Sequence, residues 1–269
     1  MNYPAGIMRA KAMADMRGRG SFVAKATPAQ VYELYLYDAI GSGMFGGGIS
    51  AKMVADALAG AKGAKELRVF INSPGGDVFD GVSIFNQISR FPGRKKVTID
   101  GIAASAASMI AMAGDEIEMA IGSMMMIHQA WGMCVGNSDD MRKTAEELEK
   151  VTDTAVLGLY ARTKLPAEKI AAMMRAETWL TPQEAVELGF ADRAIEAESA
   201  PVASMATALR TYANAPAALL VDRPARRAAA VLSASMADDL RNLRRACPAS
   251  EAGSASPHEA RPATNYASK

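Results

Sequence analysis

Between residues 31 and 128, short apolar runs alternate with stretches of helical period, and this alternation restricts the fold more than any other property of the chain. "VYELYLY" (31–37), "LRVFIN" (67–72) and "KVTID" (96–100) have the length and residue content of strands. Between them run "ISAKMVADALAGA" (49–61), with Ser50 as N-cap, and "VFDGVSIFNQISRF" (78–91), both of helical spacing. A glycine loop, "GSGMFGGG" (41–48), precedes the first helix. A helix from 104 to 113 and short strands at "EIEMA" (116–120) and "MMMIH" (124–128) continue the series. Strands separated by helices of about ten to fourteen residues predict right-handed βαβ units, a mainly parallel sheet and the α/β class.

Beyond the alternation the pattern changes. Apolar residues at 141, 145, 148, 151, 155 and 159 repeat at intervals of three and four, predicting a long helix over 139–163, about 37 Å at 1.5 Å per residue. Its other face carries Arg142, Lys143, Glu146, Glu147, Glu149 and Lys150, so it is expected to project and to pack on a partner. A short helix (167–174) follows, then a helix opened by the capping box of Thr181, Pro182 and Glu184 and closed by Gly189, and a last strand near "RAIEA". Three regions result: a flexible basic segment 1–30, a folded body 31–198, and a basic tail 199–269. The tail is rich in Ala, Pro, Ser and Arg and expected to be mostly disordered, with one fragile helix near 224–246. Net charge is +4 over 1–30, −7 over the body and +4 over 201–269, so the ends are either solvated or dock on acidic surface.

Composition excludes several classes. Half of the residues are hydrophobic and the formal net charge is +1, which suits a globular core and offers no strongly basic surface for nucleic acid. Cys134 and Cys247 form no C-x-x-C pair and no zinc spacing, so no metal is expected and a reducing compartment fits. Residues 1–30 carry no secretory apolar run, and no segment approaches the roughly 18 apolar residues of a membrane span. A cytoplasmic protein with no membrane partner is therefore expected.

The chemistry-bearing residues are few. Of the two histidines, His258 lies in the tail, which leaves His128 as the body's one imidazole for acid–base work near neutral pH. A histidine at a strand end also fits a purely structural role. In "TIDGIAASAASMIAMAGD" (98–115), Ser105 sits after a strand and at the mouth of a small-residue helix, with alanines at 103, 104, 106 and 107 clearing space. The alternative is a packed small-residue helix whose hydroxyl bonds a preceding carbonyl, which Ser108, one turn deeper, fits better. The Gly-Gly pair of "INSPGGDVFDG" (71–81) is a turn, a phosphate cradle or an oxyanion hole. The phosphate option fails, because the chain has no Gly-Lys dipeptide and the stretch does not read G-x-G-x-x-G. A Ser-Lys dyad is disfavoured, since Lys95 and Lys96 precede Ser105 by about 20 Å or more of strand.

Taken together, "INSPGGDVFDGVSIFNQI", "GIAASAAS", "MMMIHQAWG" and "WLTPQEAVELGFAD" resemble, in order, the motifs of the Clp protease proteolytic subunit family. The resemblance covers about residues 31–195 and implies a ClpP/crotonase-type superhelix of repeated β-β-α and βαβ units with a projecting handle helix, here 139–163. It implies a serine endopeptidase without cofactor: Ser105 as nucleophile, His128 as general base and then acid, and the N–H groups of Gly76 and Ala106 as the oxyanion hole. Glu177 stands where the family usually carries the aspartate that orients the histidine. The resemblance further implies polypeptide substrates and homo-oligomeric rings joined through the handle, with "GMCVGNSDD" (132–140) lining a chamber. An AAA+ ATPase partner is the family's usual arrangement. The long flanks and the "AETWLT" segment are similar to phage-encoded ClpP-like peptidases of prohead maturation, which act on capsid or scaffold proteins in the host cytoplasm. A catalytically silent assembly protein of the same fold is the alternative outside enzymes.

Overall fold

The structure is a computed structural model that describes residues 21–27, 30–41, 47–196, 209 and 212–219. All of these lie in one compact unit spanning 1–222. The flank 1–20, part of the glycine loop (42–46) and the helix expected near 224–246 lie outside the described residues.

An eight-stranded sheet forms the body, in the order β1-β2-β3-β4-β5-β8, with β6 pairing β4 and β7 pairing β6. The strands are β1 (Ser21–Ala26), β2 (Val31–Tyr37), β3 (Glu66–Ser73), β4 (Arg94–Ala104), β5 (Glu116–Ala120), β6 (Met124–Ile127), β7 (Thr178–Leu180) and β8 (Arg193–Ile195). Pairing is parallel except for β1 with β2 and β6 with β7, which agrees with the expected mainly parallel α/β class. The helices are α1 (Ala51–Ala59), α2 (Val78–Ser89), α3 (Ala106–Ala111), α4 (Ser138–Val151), α5 (Ala167–Arg175) and α6 (Pro182–Glu187). Ser50 caps α1 by accepting from Met53 N, and the Thr181–Glu184 capping box opens α6 as its sequence predicts.

The core lies where α1, α2 and α3 cover the sheet. Leu34 and Leu36 of β2, Val69 and Ile71 of β3, and Val97 and Ile99 of β4 meet Val54 of α1, Ile84 and Ile88 of α2, and Ile110 of α3, all fully buried. Each such side chain contributes roughly 1.5–3 kcal/mol on burial. A second, smaller cluster lies on the other side of the β4–β6 pair: Ile102, Ala104 and Met126 with Leu209 and Tyr212, edged by Trp179. Among the described residues no helix is long and apolar enough to cross a membrane, and no group of three His, Cys, Asp or Glu could hold a metal ion.

Two expectations need correction. The basic segment 1–30 is not wholly flexible: Ser21–Ala26 pairs with β2 from Ser21↔Tyr37 to Ala26↔Tyr32. Phe22 and Ala24 pack against the core, and Lys25 bridges Glu33 at 2.9 Å. The helix of 139–163 changes gauge along its length. It is α-helical over Ser138–Val151, takes a π turn over Thr152–Val156 and tightens to 3-10 over Leu157–Thr163. The change falls where the segment turns inward: α4 has no buried residue, whereas Thr152, Val156 and Tyr160 are buried. The Thr152 hydroxyl also accepts the N–H of Ala130 at 3.0 Å. Within 199–269, Leu209 and Tyr212 are buried against the body and Ala217–Leu219 forms a 3-10 turn.

Candidate active site

The site is assembled at the ends of two neighbouring parallel strands. β4 and β6 pair in the register Ile102↔Met124, Ala103↔Met125, Ala104↔Met126, so Ser105 and His128 leave the sheet side by side. The Ser105 N–H donates to the Met126 carbonyl at 2.9 Å, fixing the serine against β6. Ser105 Oγ lies 2.7 Å from His128 Nε2, the separation of a hydroxyl donating to an imidazole nitrogen.

Ser105 has φ 54° and ψ −124°, a conformation that costs an L residue on the order of 1–3 kcal/mol. The sharp turn separates β4 from α3 and holds the hydroxyl clear of both, the geometry of a nucleophile elbow. Small neighbours permit it: Ala104, Ala106 and Ala107 are buried around the turn. A Cβ on Gly81 of α2 would stand 3.0 Å from that of Ala106, so α2 and α3 approach closely because Gly81 has no side chain. Ser108 is spent internally, donating to Ser105 O at 2.6 Å and sharing a 2.8 Å hydrogen bond with the Tyr160 hydroxyl. Burial pushes the Tyr160 phenol above its ordinary range, against the opposing effect of that hydrogen bond, so it stays neutral.

The glycine pair packs directly on this elbow. Gly75 has φ +85°, and a Cβ there would fall 2.4 Å from Ala104 O and 2.7 Å from Ser105 Cβ. At Gly76 a Cβ would fall 2.0 Å from Ile40 O. The loop is held by Ile40 N donating to Gly75 O at 2.9 Å and Asp77 N donating to Ile40 O at 3.0 Å, and Asp77 then caps α2. Among the described residues the N–H groups of Gly76 and Ala106 donate to no acceptor. Ala106 is the first residue of α3, where a helix leaves its N–H unused. Both residues flank the serine turn, Ala106 directly after it in the chain and Gly76 directly after the Gly75 that packs on it.

Glu177 departs from its expected bonding. β6 and β7 pair as Met125↔Leu180, Met126↔Trp179, Ile127↔Thr178, and the ladder stops there, with His128 and Glu177 each next in sequence beyond it. The carboxylate, however, accepts from the N–H of Asn214 at 2.7 Å, the N–H of Ala213 at 3.2 Å and the indole of Trp179 at 3.4 Å. Its backbone has φ 48°, turning the residue out of the strand toward the 212–219 segment. The structure therefore brings Ser105, His128 and the Gly-Gly loop together, and commits the Glu177 side chain to backbone far along the chain. Glu184 serves as the cap its sequence predicts, and the Thr181 N–H and hydroxyl hold its carboxyl below the usual range. Lys95 and Lys96 lie at the opposite end of β4, paired with Asp115 and Glu118 at 3.0 and 2.9 Å, which removes the Ser-Lys dyad.

Tyr212 is the residue of the site that sequence reasoning missed. Its hydroxyl donates to Pro74 O at 2.7 Å, and its ring meets His128 edge-on with centroids 5.5 Å apart. The available signal was local: Leu209 and Tyr212, three apart in an otherwise small and polar stretch.

Residues 41–198, more than half of the chain, match the family model described as Clp protease. The chain belongs to the Clp protease family. Among curated relatives, the ATP-dependent Clp protease proteolytic subunit of Deinococcus radiodurans is 34% identical over 134 residues, covering 49% of this chain and 66% of that protein. Proteolytic subunit 1 of Prochlorococcus marinus is 32% identical over 130 residues (48% and 66%), and the proteolytic subunit of Bacteroides thetaiotaomicron 30% over 133 residues (49% and 60%). In these comparisons the match spans 60–66% of the relative's own length.

Proposed function

We propose that this Clp family chain is a serine endopeptidase in which Ser105 is the nucleophile, His128 the general base and then acid, and the Gly76 and Ala106 N–H groups the oxyanion hole. The observation that carries the reading is the 2.7 Å Ser105–His128 contact at a strained elbow packed against the Gly-Gly loop. As Ser105 Oγ attacks the peptide carbonyl carbon, His128 Nε2 takes its proton and the two N–H groups hold the oxyanion, roughly 3–4 kcal/mol per donor. Collapse returns the proton to the leaving amine and leaves an acyl-enzyme that water hydrolyses by the same steps reversed. Fluorophosphonate should add covalently to Ser105, and Ser105→Ala should remove both the adduct and peptide cleavage. Persisting hydrolysis in that variant would overturn the assignment.

The enzyme acts on polypeptides in the cytoplasm as a homo-oligomeric ring built through the 139–163 segment. Two settings have support. The relatives' names favour a degradative subunit serving an ATPase. The basic flanks outside the matched region favour self-contained maturation of phage proheads, with capsid or scaffold proteins as substrates. ATP-dependent digestion of a folded protein with a co-purifying AAA+ ATPase marks the first, and capture inside capsid precursors marks the second.

A further inference from the structure

The loop that carries the Gly76 N–H is pinned by a short set of hydrogen bonds, and one of them comes from far along the chain. Gly75 N donates to Ser73 Oγ at 3.2 Å, Ile40 N donates to Gly75 O at 2.9 Å, and Asp77 N donates to Ile40 O at 3.0 Å. These hold the glycine pair from β3 and from Ile40. Pro74 has no N–H, so its buried carbonyl is the one backbone group by which it can be anchored. That carbonyl accepts from the Tyr212 hydroxyl at 2.7 Å, across 138 residues of chain. Tyr212 is only 5% exposed, set with Leu209 among Ile102, Ala104 and Met126. Its ring plane stands at 90° to that of His128 with centroids 5.5 Å apart, and its centroid lies 5.9 Å from that of Trp179. Beside it, the N–H groups of Ala213 and Asn214 donate to Glu177 and the Asn214 side chain donates to Ala176 O. Tyr212 is thus fixed both by the apolar cluster and by its chain neighbours.

We propose that Tyr212 is a positioning residue of the peptidase site: its hydroxyl holds the Gly-Gly loop in place against the Ser105 elbow, and its ring confines the His128 imidazole. The inference rests on the peptidase reading above and adds to it a residue outside the matched region 41–198. An oxyanion donor acts only if it is already fixed where the charge develops. Gly76 lies two residues past Pro74, and with the Tyr212 bond gone the loop keeps only its bonds to Ser73 and Ile40. A buried carbonyl that loses its donor is unfavourable, and the loop relieves this by shifting toward another partner, which carries Gly76 with it. The shift need not be large, since a misplacement on the order of 1 Å costs about 100-fold in rate. The ring acts on the other half of the site. Packed at right angles to the imidazole, it limits the swing of His128 away from Ser105, whose Oγ lies 2.7 Å from Nε2. One side chain from beyond the matched region therefore touches both the loop that stabilises charge and the base that moves the proton.

The test uses the full-length chain with Tyr212→Phe, which removes the hydroxyl and keeps the ring, and Tyr212→Leu, which removes both. Each is assayed with a small fluorogenic peptide, for the rate of fluorophosphonate addition to Ser105, and for inhibition by a peptide boronate, whose tetrahedral adduct with the serine oxygen places an oxygen in the hole. Tyr212→Phe should lower kcat roughly tenfold with KM little changed and weaken the boronate by a similar factor, because a displaced donor is felt in the transition state and not in the ground state. Tyr212→Leu should lower kcat and the rate of adduct formation roughly tenfold further, as the general base also loses its orientation. Thermal unfolding separates positioning from support of the fold. A variant that unfolds earlier yet keeps the parent's kcat and boronate affinity overturns the proposal, as does a loss confined to KM. A Tyr212→Leu kcat equal to that of Tyr212→Phe overturns the part given to the ring, and if Tyr212→Leu does not fold, Tyr212→Phe decides. A parent that forms no adduct at Ser105 removes the peptidase reading and this role with it, whereas a labelled parent matched by both variants overturns the role of Tyr212 alone.

Discussion

Ser105 answers two opposed demands, because the backbone angles that lift its hydroxyl toward His128 are those a side chain tolerates worst. The strain is held by Ser105 N donating to Met126 O and by the fit of Gly75 beneath it, and it persists because these contacts over-determine the turn. Ser105→Gly should therefore abolish hydrolysis and stabilise the fold by about 1 kcal/mol, while Ser105→Ala abolishes hydrolysis with little gain in stability. Thermal unfolding of the two variants checks this: a glycine variant no more stable than the alanine variant would mean the turn carries no strain. The placement of Ser105 after a strand, of His128 at a strand end and of the Gly-Gly turn was legible from the sequence because each depends on local chemistry, whereas their roles came only from the family resemblance. The bonding of Glu177 was not, since its partners at residues 213 and 214 sit in a stretch whose composition reads as tail. Nothing within β7 itself announces where that carboxylate turns.

At the scale of elements, strands flanked by clear breakers were legible, and β2 and β5 fall where their sequences place them. β4 extends past its predicted end to Ala104, because the small residues "GIAA" continue the ladder with β6 right up to the elbow. β1 was hidden by its half-exposed edge position and the lysine within it, and β7 by its three-residue length. The gauge change after Val151 leaves no mark on the apolar period, as an inserted π turn shifts the register by less than the width of the apolar stripe. Across β4, β5 and β8, Glu118 is buried between Lys96 and Arg193, while Glu116 bridges Arg193 at 2.9 Å. Burial alone would raise the Glu118 carboxyl, but the two cations outweigh it and hold it below the ordinary value of 4.5. A carboxyl depressed in the folded state adds stability above its unfolded pKa, and that contribution is lost as pH falls through the folded value. Glu118→Gln should cost about 1 kcal/mol at neutral pH and flatten part of the decline in stability below about pH 4.5. Denaturant midpoints at neutral and acid pH measure both effects, and an unchanged acid slope would remove Glu118 from the account.

For the whole molecule, three large apolar side chains stay exposed around the start of α4. Val135 is 91% exposed, Met133 59% and Met141 45%, all on α4 or the segment leading to it, and among the described residues none of α4 is fully buried. α4 is supported locally: Asn137 and Asp140 make a capping box, and acidic residues occupy its first turn with Lys150 in its last. A helix that is locally stable and apolar on one exposed side is suited to meeting a second copy, the arrangement that a ring joined through this segment requires. Val135→Asp combined with Met141→Asp should leave the isolated fold within about 0.5 kcal/mol of the parent, since both side chains already face solvent. In the assembly each would bury an unpaired carboxylate, which is strongly unfavourable. The variant should therefore drop to smaller species by native mass spectrometry. If the copies join as proposed, cleavage of long polypeptides should fall further than that of a short peptide, because a long chain draws on more binding surface than the site alone. If the double variant keeps the parent's mass and its relative activity on long and short substrates, the 139–163 segment does not join the copies.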